Sequence, residues 1–233
     1  QITDLTGGIL DLSNRRSQAL LAYLILNNSI VHTRQHLAFL FSPNASDSQG
    51  RSALRKDLFK LRQALPAAAS HLRIDAQTIQ WNPDATYHLD VAEFEQALDQ
   101  AVHLPAETLR EQQQLIERAI SFYHGYLLPS QDHDWVIQER ERLHQKYLGS
   151  LGQLIQLLEQ QQNYTQAIYY GQQLQQQEPL RESTYQALMR LHDKRGDRAV
   201  ALQIYHQCMT RLRDELGVDP SAATQALYQT LLN

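Results

Sequence analysis

The segment at residues 47–65, DSQGRSALRKDLFKLRQAL, most constrains what this chain can fold into. Its leucines recur at the spacing of one helical face, which predicts an amphipathic helix with a buried stripe. The opposite face collects polar and basic side chains, and Asp57 is the only acid after Asp47. A helix with this division can lie in the major groove of DNA. The pattern equally fits an ordinary solvated helix, because Lys and Arg are common on helix surfaces.

Charge is distributed unevenly along the 233 residues. The formal net charge of −4 divides into +4 for residues 1–82, with nine basic and five acidic side chains, and −8 for the remainder. Only the first part therefore has the electrostatic character that suits phosphate. This asymmetry predicts two domains with different tasks, at residues 1–82 and 83–233.

The cellular compartment is indicated by cysteine usage and hydropathy. The single cysteine, Cys208, excludes an internal disulfide and suits a reducing cytosol. No run of about 18 apolar residues occurs, so no membrane span is expected. A cytoplasmic location is therefore predicted. Because the chain opens with Gln1, it is expected to be a piece of a longer protein.

Before the basic segment, the pattern predicts one strand and two helices. GGILDL predicts a short strand at residues 8–12, introduced by a glycine pair. A helix at residues 16–26 follows, which Ser13 or Asn14 can cap. A second, shorter helix begins after Thr33, whose side chain can cap it.

After the basic segment, LRID and TIQW predict two short strands separated by Ala76 and Gln77, which makes a hairpin. The complete order is strand, helix, helix, basic helix and hairpin. This is the order of a winged helix, the helix-turn-helix variant with a β wing. A small α+β domain of unrelated purpose is the alternative.

From Asp90 onward the sequence predicts helices almost throughout, with an internal repeat of 34 residues near the end. Thirty-four residues is the tetratricopeptide period, in which small residues let paired helices approach. The predicted fold class is therefore mainly α, a winged helix-turn-helix domain followed by an all-α tetratricopeptide-like array. The repeat pairs Ala167, Gly171 and Leu174 with Ala201, Tyr205 and Cys208, and the turn residue Asn163 with Asp197.

Several motifs together resemble the Streptomyces antibiotic regulatory proteins and related bacterial transcriptional activators. They include RSQALLAYLIL, TRQHLAFLFSPNAS, GRSALRKDLFKLRQAL, LDVAEFEQAL, YHGYLLP, QEPLRESTYQALMRL and LRDELGVDPSAATQAL. The resemblance implies an OmpR-like winged helix followed by a bacterial transcriptional activator domain of tetratricopeptide type. The chain departs from the pattern in two ways, since the usual first strands are largely missing before Thr3 and Phe41 replaces a frequent Trp.

The same resemblance implies a sequence-specific activator that binds direct repeats in promoter DNA as side-by-side protomers, a homodimer on DNA. It also implies recruitment of RNA polymerase, for which the loop at residues 42–48 is a candidate contact. The rival hypothesis is a protein-interaction module of a larger signalling protein, in which the winged helix never touches DNA, because a fold does not fix function.

Side-chain chemistry suggests which residues would contact DNA. Amides, hydroxyls and lysines on the outer face would lie in the groove, and guanidinium groups would reach phosphate or a base edge. Arg62 could instead form a structural salt bridge, and Phe59 could touch a thymine methyl or pack on a neighbouring helix. The predicted DNA-binding residues are Gln49, Ser52, Lys56 and Lys60 on the groove face, Arg51 and Arg55 beside it, Thr33 and Arg34 at a helix N-terminus that favours phosphate, and Arg73 on the wing toward the minor groove.

An enzymatic function is not expected. The sequence contains no phosphate-binding, dinucleotide-binding or nucleophile-elbow motif, and its ten histidines form no metal-binding spacing. Asp132, His133 and Asp134 form the one dense polar cluster, which more plausibly starts a helix with Asp132 or Asp134 as its cap. Cys208 falls in an apolar helical pattern, where a buried thiol is inert. Neither a cofactor nor a metal is therefore predicted.

Overall fold

The computed structural model describes Ile2–Thr3 and residues 14–65, 68–105 and 107–233. It is mainly helical, as the sequence predicts. The chain divides into a first unit, Gln1–Ala92 with Gly125–Arg142, and a second unit, Glu93–His124 with Leu143–Asn233. The predicted strand at residues 8–12 lies outside the described residues. The division into functional domains at residues 82 and 83 stays a prediction.

Among the described residues, the first unit combines four complete helices and short strands with the N-terminal parts of two later helices. Its elements in chain order are β1 (Ile2–Thr3), α1 (Arg15–Leu26), β2 (His32–Thr33), α2 (Arg34–Phe41), α3 (Asp47–Ala64), α4 (Ala68–His71), β3 (Leu72–Ile74), β4 (Thr78–Trp81) and β5 (His88–Leu89). The three helices and the hairpin that the sequence predicts are therefore present. The strands β1, β2 and β5 and the single-turn helix α4 were not predicted, because two to four residues are too few to show a periodic pattern.

Local side-chain hydrogen bonds set where these helices begin. Asn14 caps α1 by accepting a hydrogen bond from the amide of Ser17 at 3.1 Å, which selects one of the two predicted caps. Thr33 caps α2, as predicted. Ser46 caps α3 in a capping box, in which Gln49 returns a hydrogen bond to the Ser46 backbone.

The described strands form two antiparallel sheets. One has the order β2, β4, β3, and β1 pairs with β5 in the other. In the three-stranded sheet, Ile79 lies opposite both His32 and Ile74. The β3–β4 turn is closed by the Asp75 carboxylate, which accepts hydrogen bonds from the amides of Gln77 at 2.7 Å and Thr78 at 2.6 Å.

The core of the first unit is built on the leucine stripe of α3, whose burial confirms the sequence prediction. Leu54, Leu58, Leu61 and Leu65 are at most 5% exposed and pack with apolar residues of α1, α2 and the hairpin. At the start of α3 a side chain would be crowded, since a Cβ on Gly50 would lie 3.3 Å from the carbonyl oxygen of Ala38. Helices α2 and α3 therefore approach closely at this point.

The remaining helices run from the end of the hairpin region to the C-terminal residues. They are α5 (Asp90–His103), α6 (Leu109–Phe122), α7 (Asp134–Gln160), α8 (Tyr164–Gln177), α9 (Glu182–Lys194), α10 (Arg198–Leu216) and α11 (Ala222–Leu232). None of the described helices has both the length and the apolar character that crossing a bilayer requires.

The sequence repeat coincides with two equivalent helices of the second unit, α8 and α10. Asn163 and Asp197 occupy the position before each helix, and Ala167 and Ala201 are fully buried. Helix α9 packs against both. Cys208 is also fully buried, and burial raises the pKa of its thiol to about 11. The thiol is therefore protonated at neutral pH, in agreement with the sequence prediction that it is inert.

Candidate nucleic-acid interface

The outer face of α3 presents the predicted groove residues to solvent. With the leucine stripe facing the core, the side chains on the opposite arc are exposed. The helical period of about 3.6 residues per turn places some of them opposite the leucines, while Arg51, Arg55 and Arg62 flank the leucine stripe. The exposed residues include Gln49, Arg51, Ser52, Arg55, Lys56, Phe59, Lys60, Arg62 and Gln63.

The acid in the middle of this helix faces inward. Asp57 is 7% exposed, and its Oδ2 accepts a hydrogen bond from Nε of Arg16 at 3.0 Å. Arg16 also donates from Nη2 to the Ser42 hydroxyl at 3.0 Å. The carboxylate is therefore neutralised on the core side, and it does not offset the cations on the outer side.

The outer cations of α3 differ in whether they have an acidic partner. Arg51 pairs with Asp47 at 3.2 Å, and both side chains are exposed. In the part of the chain that the structure describes, the other four cations of the helix have no ion-pair partner. These are Arg55, Lys56, Lys60 and Arg62. The structural salt bridge considered for Arg62 is thus not formed with any described residue.

The surroundings of Phe59 and Gln49 bear on the roles that were considered for these two residues of α3. Phe59 is 62% exposed and is not part of the core cluster of the described residues, so most of its ring is open to a partner. Gln49 accepts a hydrogen bond from the Ser46 amide through Oε1 at 3.1 Å. Its amide nitrogen is the group that remains to donate to a partner outside the chain.

The N-terminus of α2 is tied to the hairpin turn. The Arg34 amide donates to the Gln77 carbonyl at 2.8 Å, and its Nε donates to the Asp75 carbonyl at 3.0 Å. Thr33 accepts from the His36 amide at 3.1 Å. Hydrogen bonds from Thr78 and then Gln77 hold the pKa of Asp75 below its ordinary value. These bonds engage groups that were predicted to be available for phosphate.

On the hairpin, Arg73 is exposed and forms an ion pair with Asp84 at 2.6 Å. The pair is open to solvent on both sides, so its attraction is weak and screened by salt. The guanidinium group can therefore exchange this carboxylate for another anion. No comparable acid accompanies the four unpaired cations of α3 within the described ranges.

The polar cluster at residues 132–134 has a structural role within the first unit. Helix α7 begins at Asp134, and His133 packs edge-on against Phe41 with ring centroids 5.3 Å apart. Burial, followed by the charge of Arg16, lowers the pKa of His133. Among the residues that the structure describes, no group of three metal-ligating side chains occurs.

A cluster of aromatic side chains, which was not predicted from the sequence, joins residues of α1, β2, α2 and α7. Tyr23 of α1 contacts His32, Phe41 and Trp135 with centroid distances of 5.1, 6.0 and 5.2 Å. Burial lowers the pKa of His32, so this histidine is neutral at pH 7. The signal for this cluster was weak, because its members lie far apart in sequence.

Comparison with known proteins identifies the helical part of the chain. Residues 89–232, from the start of α5 to the end of α11, match the bacterial transcriptional activator domain. The chain belongs to this family. Bacterial transcriptional activator domains belong to regulatory proteins, and this family is not an enzyme family.

Similar proteins extend the match to the part that precedes the bacterial transcriptional activator domain. The regulatory protein AfsR of Streptomyces coelicolor is 26% identical over 227 residues, 97% of this chain. Mycobacterium tuberculosis EmbR, solved in complex with a low affinity phosphopeptide, has a TM-score of 0.79 at 20% identity over 97% of this chain, which shows a shared fold. The chain spans 23% of AfsR and 61% of the EmbR chain.

Proposed function

We propose that this protein is a sequence-specific DNA-binding transcriptional activator that places α3 in the major groove. The observation that carries the proposal is the distribution of charge on that helix. Arg55, Lys56, Lys60 and Arg62 are exposed without an acidic partner among the described residues, whereas Asp57 is neutralised internally by Arg16. A helix surface of this kind attracts phosphate without repulsion from its own acid.

The element order of the first unit supports a winged helix over residues 1–82. Helices α1, α2 and α3 precede the β3–β4 hairpin, and β2 joins that hairpin to the base of α2. In this arrangement α3 is the recognition helix and the hairpin is the wing. Arg73 on the wing would then reach the minor groove after leaving Asp84.

The predicted residues divide into base readers and phosphate contacts. Arg55 can grip guanine through two hydrogen bonds, and Ser52 and Gln49 can read base edges. The ammonium groups of Lys56 and Lys60 act mainly on phosphate. Three predicted residues at the margins would also serve phosphate. Arg51 and Arg34 would do so through the Nη groups of their guanidinium ions, and Thr33 would donate its hydroxyl hydrogen, because the Arg34 amide and Nε are bonded to the hairpin turn.

The helical domain, residues 83–233, would mediate protein contacts as a tetratricopeptide-type array. Side-by-side protomers on direct repeats would form a homodimer on promoter DNA. Recruitment of RNA polymerase would use the loop at residues 42–48, in which Pro43, Asn44 and Ala45 are exposed. The proposed protein acts in the cytoplasm and requires no cofactor.

The test is fluorescence-anisotropy titration of the whole chain against labelled genomic promoter fragments at two salt concentrations. Wild type should bind a subset of fragments, and binding should weaken steeply with salt because phosphate contacts release counterions. Arg55→Ala/Lys56→Ala should remove this binding. The matched control is Arg110→Ala/Arg190→Ala, which removes two exposed cations of the second unit and should change affinity little.

The outcomes separate the proposal from its rival. If the folded wild type binds selected promoters no better than random duplex, the DNA-binding function is wrong and an interaction module is favoured. If both double variants lose affinity equally, net charge rather than α3 determines binding.

A further inference from the structure

Phe59 occupies an unusual place for an aromatic side chain. It is 62% exposed, it is the only aromatic residue of α3, and it lies on the outer face beside the cations. Arg55 and Lys56 lie about one turn before it, and Arg62 and Gln63 about one turn after it. A partner that approaches these cations must therefore also meet the phenyl ring.

The chemistry of the major groove offers one apolar group to such a ring. Guanine, cytosine and adenine present hydrogen-bond donors and acceptors there, whereas thymine also presents its C5-methyl group. A phenyl ring cannot satisfy a donor or an acceptor, so covering polar edges would cost free energy. Contact with a methyl group removes apolar surface of both partners from water.

We propose that Phe59 contacts the C5-methyl group of a thymine, so that a T·A base pair at one position is part of the sequence that this chain selects. The inference rests on the proposed function, since it requires α3 to lie in the major groove. It assigns selectivity to a residue without charge, while the surrounding cations supply affinity for phosphate.

The experiment uses DNA that differs only by the methyl group. A duplex is first selected by the whole chain from a randomised library, and each thymine is then replaced singly by deoxyuridine, which pairs identically. At the contacted position wild type should lose about fourfold in affinity, the value for one buried methyl-sized group. The Phe59→Ala variant should bind the thymine and deoxyuridine duplexes equally.

The control variant is Phe39→Ala. Phe39 is also an exposed phenylalanine, at 68%, but it lies on α2. This variant should retain the fourfold methyl dependence of wild type. Because both side chains are exposed, neither substitution removes a core contact, and circular dichroism should show unchanged thermal unfolding for both.

Each result has one interpretation. Specific binding without a methyl-sensitive position, or selection of duplexes without a common T·A pair, overturns the inference and leaves the proposed function intact. Methyl dependence that persists in Phe59→Ala, or disappears in Phe39→Ala, overturns the assignment to Phe59. If wild type binds no duplex, both the inference and the proposed function are wrong.

Discussion

Arg16 and Asp57 form an ion pair that joins α1 to the inner side of α3, with Nε and Oδ2 separated by 3.0 Å. The Asp57 side chain is 10% exposed and the Arg16 side chain 43%. Through its bond to Ser42, the same guanidinium also holds the residue that follows α2. One arginine thus connects three segments around the proposed recognition helix.

We expect Asp57→Asn to destabilise the first unit by about 2 kcal/mol. Breaking a buried pair costs about 3–5 kcal/mol, and the partial exposure of Arg16 reduces this value. Urea unfolding followed by tryptophan fluorescence measures the effect, because both tryptophans, Trp81 and Trp135, belong to the first unit.

The control for this prediction is Asp47→Asn on the same helix. Its ion pair with Arg51 is exposed, so the change should cost less than about 1 kcal/mol. Equal losses in the two variants would contradict a special role for the Arg16–Asp57 pair.

The ion pair on the hairpin predicts a gain of affinity for DNA. In wild type, Arg73 must leave Asp84 before it can contact DNA, and Asp84→Asn removes this competing carboxylate. We expect binding that is tighter by up to about fivefold, because an exposed ion pair contributes at most about 1 kcal/mol. Arg73→Ala should cancel the effect of Asp84→Asn when the two are combined. An unchanged affinity in Asp84→Asn would argue against contact between the wing and DNA.

Gly171 is predicted to be essential for packing between α8 and α9. A Cβ at this position would lie 2.7 Å from Cδ2 and 3.3 Å from Cγ of Leu188, which is 1% exposed. Gly171→Ala should therefore destabilise the second unit by about 1–2 kcal/mol, despite the higher helix propensity of alanine. Chemical unfolding followed by circular dichroism and hydrogen exchange of α8 would measure the change.

Gly152→Ala provides the matched comparison within the second unit. Among the described residues, apart from the adjacent residues and backbone of its own helix, no heavy atom lies within 4 Å of a Cβ built at Gly152 in helix α7. This substitution should stabilise the helix by about 0.5–1 kcal/mol, since alanine loses less backbone entropy. A stabilising effect at both glycines would show that Leu188 adjusts without cost.

The attachment of α11 is predicted to weaken in acid. Glu182 of α9 accepts hydrogen bonds from the amide of Ser221 at 2.9 Å, from its hydroxyl at 2.8 Å, and from the hydroxyl of Thr224. Burial alone would raise the pKa of Glu182, but the hydrogen bonds from Thr224 and Ser221 together lower it below its ordinary value of 4.5.

Because the folded pKa of Glu182 is depressed, its contribution is present above pH 4.5 and is lost as pH falls through the folded pKa. We expect Glu182→Gln to cost about 1 kcal/mol at pH 7 and to approach wild-type stability as the pH falls through the folded pKa of Glu182. Thermal unfolding of both proteins between pH 3 and 7 measures this convergence. A difference that is independent of pH would mean that charge is not involved.

The sequence predicted those features that depend on local periodicity and capping. Leu54, Leu58 and Leu61 placed one face of α3 in the core, and Asn14 and Thr33 marked helix starts correctly. These signals are contained within a few neighbouring residues, so no tertiary information is needed to interpret them.

Features that depend on distant partners were not predictable in the same way. Asp57 falls on the leucine side of α3 by helical geometry, which could have indicated that it is buried, but its partner Arg16 is 41 residues away. The bonds from Arg34 to the hairpin turn also join distant segments and use backbone groups, which leave no pattern in the sequence. The outer face of α3 was therefore predicted from the sequence, whereas the ion pair and hydrogen bonds that hold α2 and α3 in place were not.

The close approach of Gly50 to Ala38 fixes the position of α3 along its own axis. Sliding by one residue would advance the helix about 1.5 Å and rotate its outer face by about 100°. Such a slide would place the Arg51 side chain in a crowded position, with its Cβ about 3.3 Å from the Ala38 carbonyl oxygen. This close approach therefore opposes sliding of α3 along its axis, and a partner of the outer face would meet the same side chains in the same order.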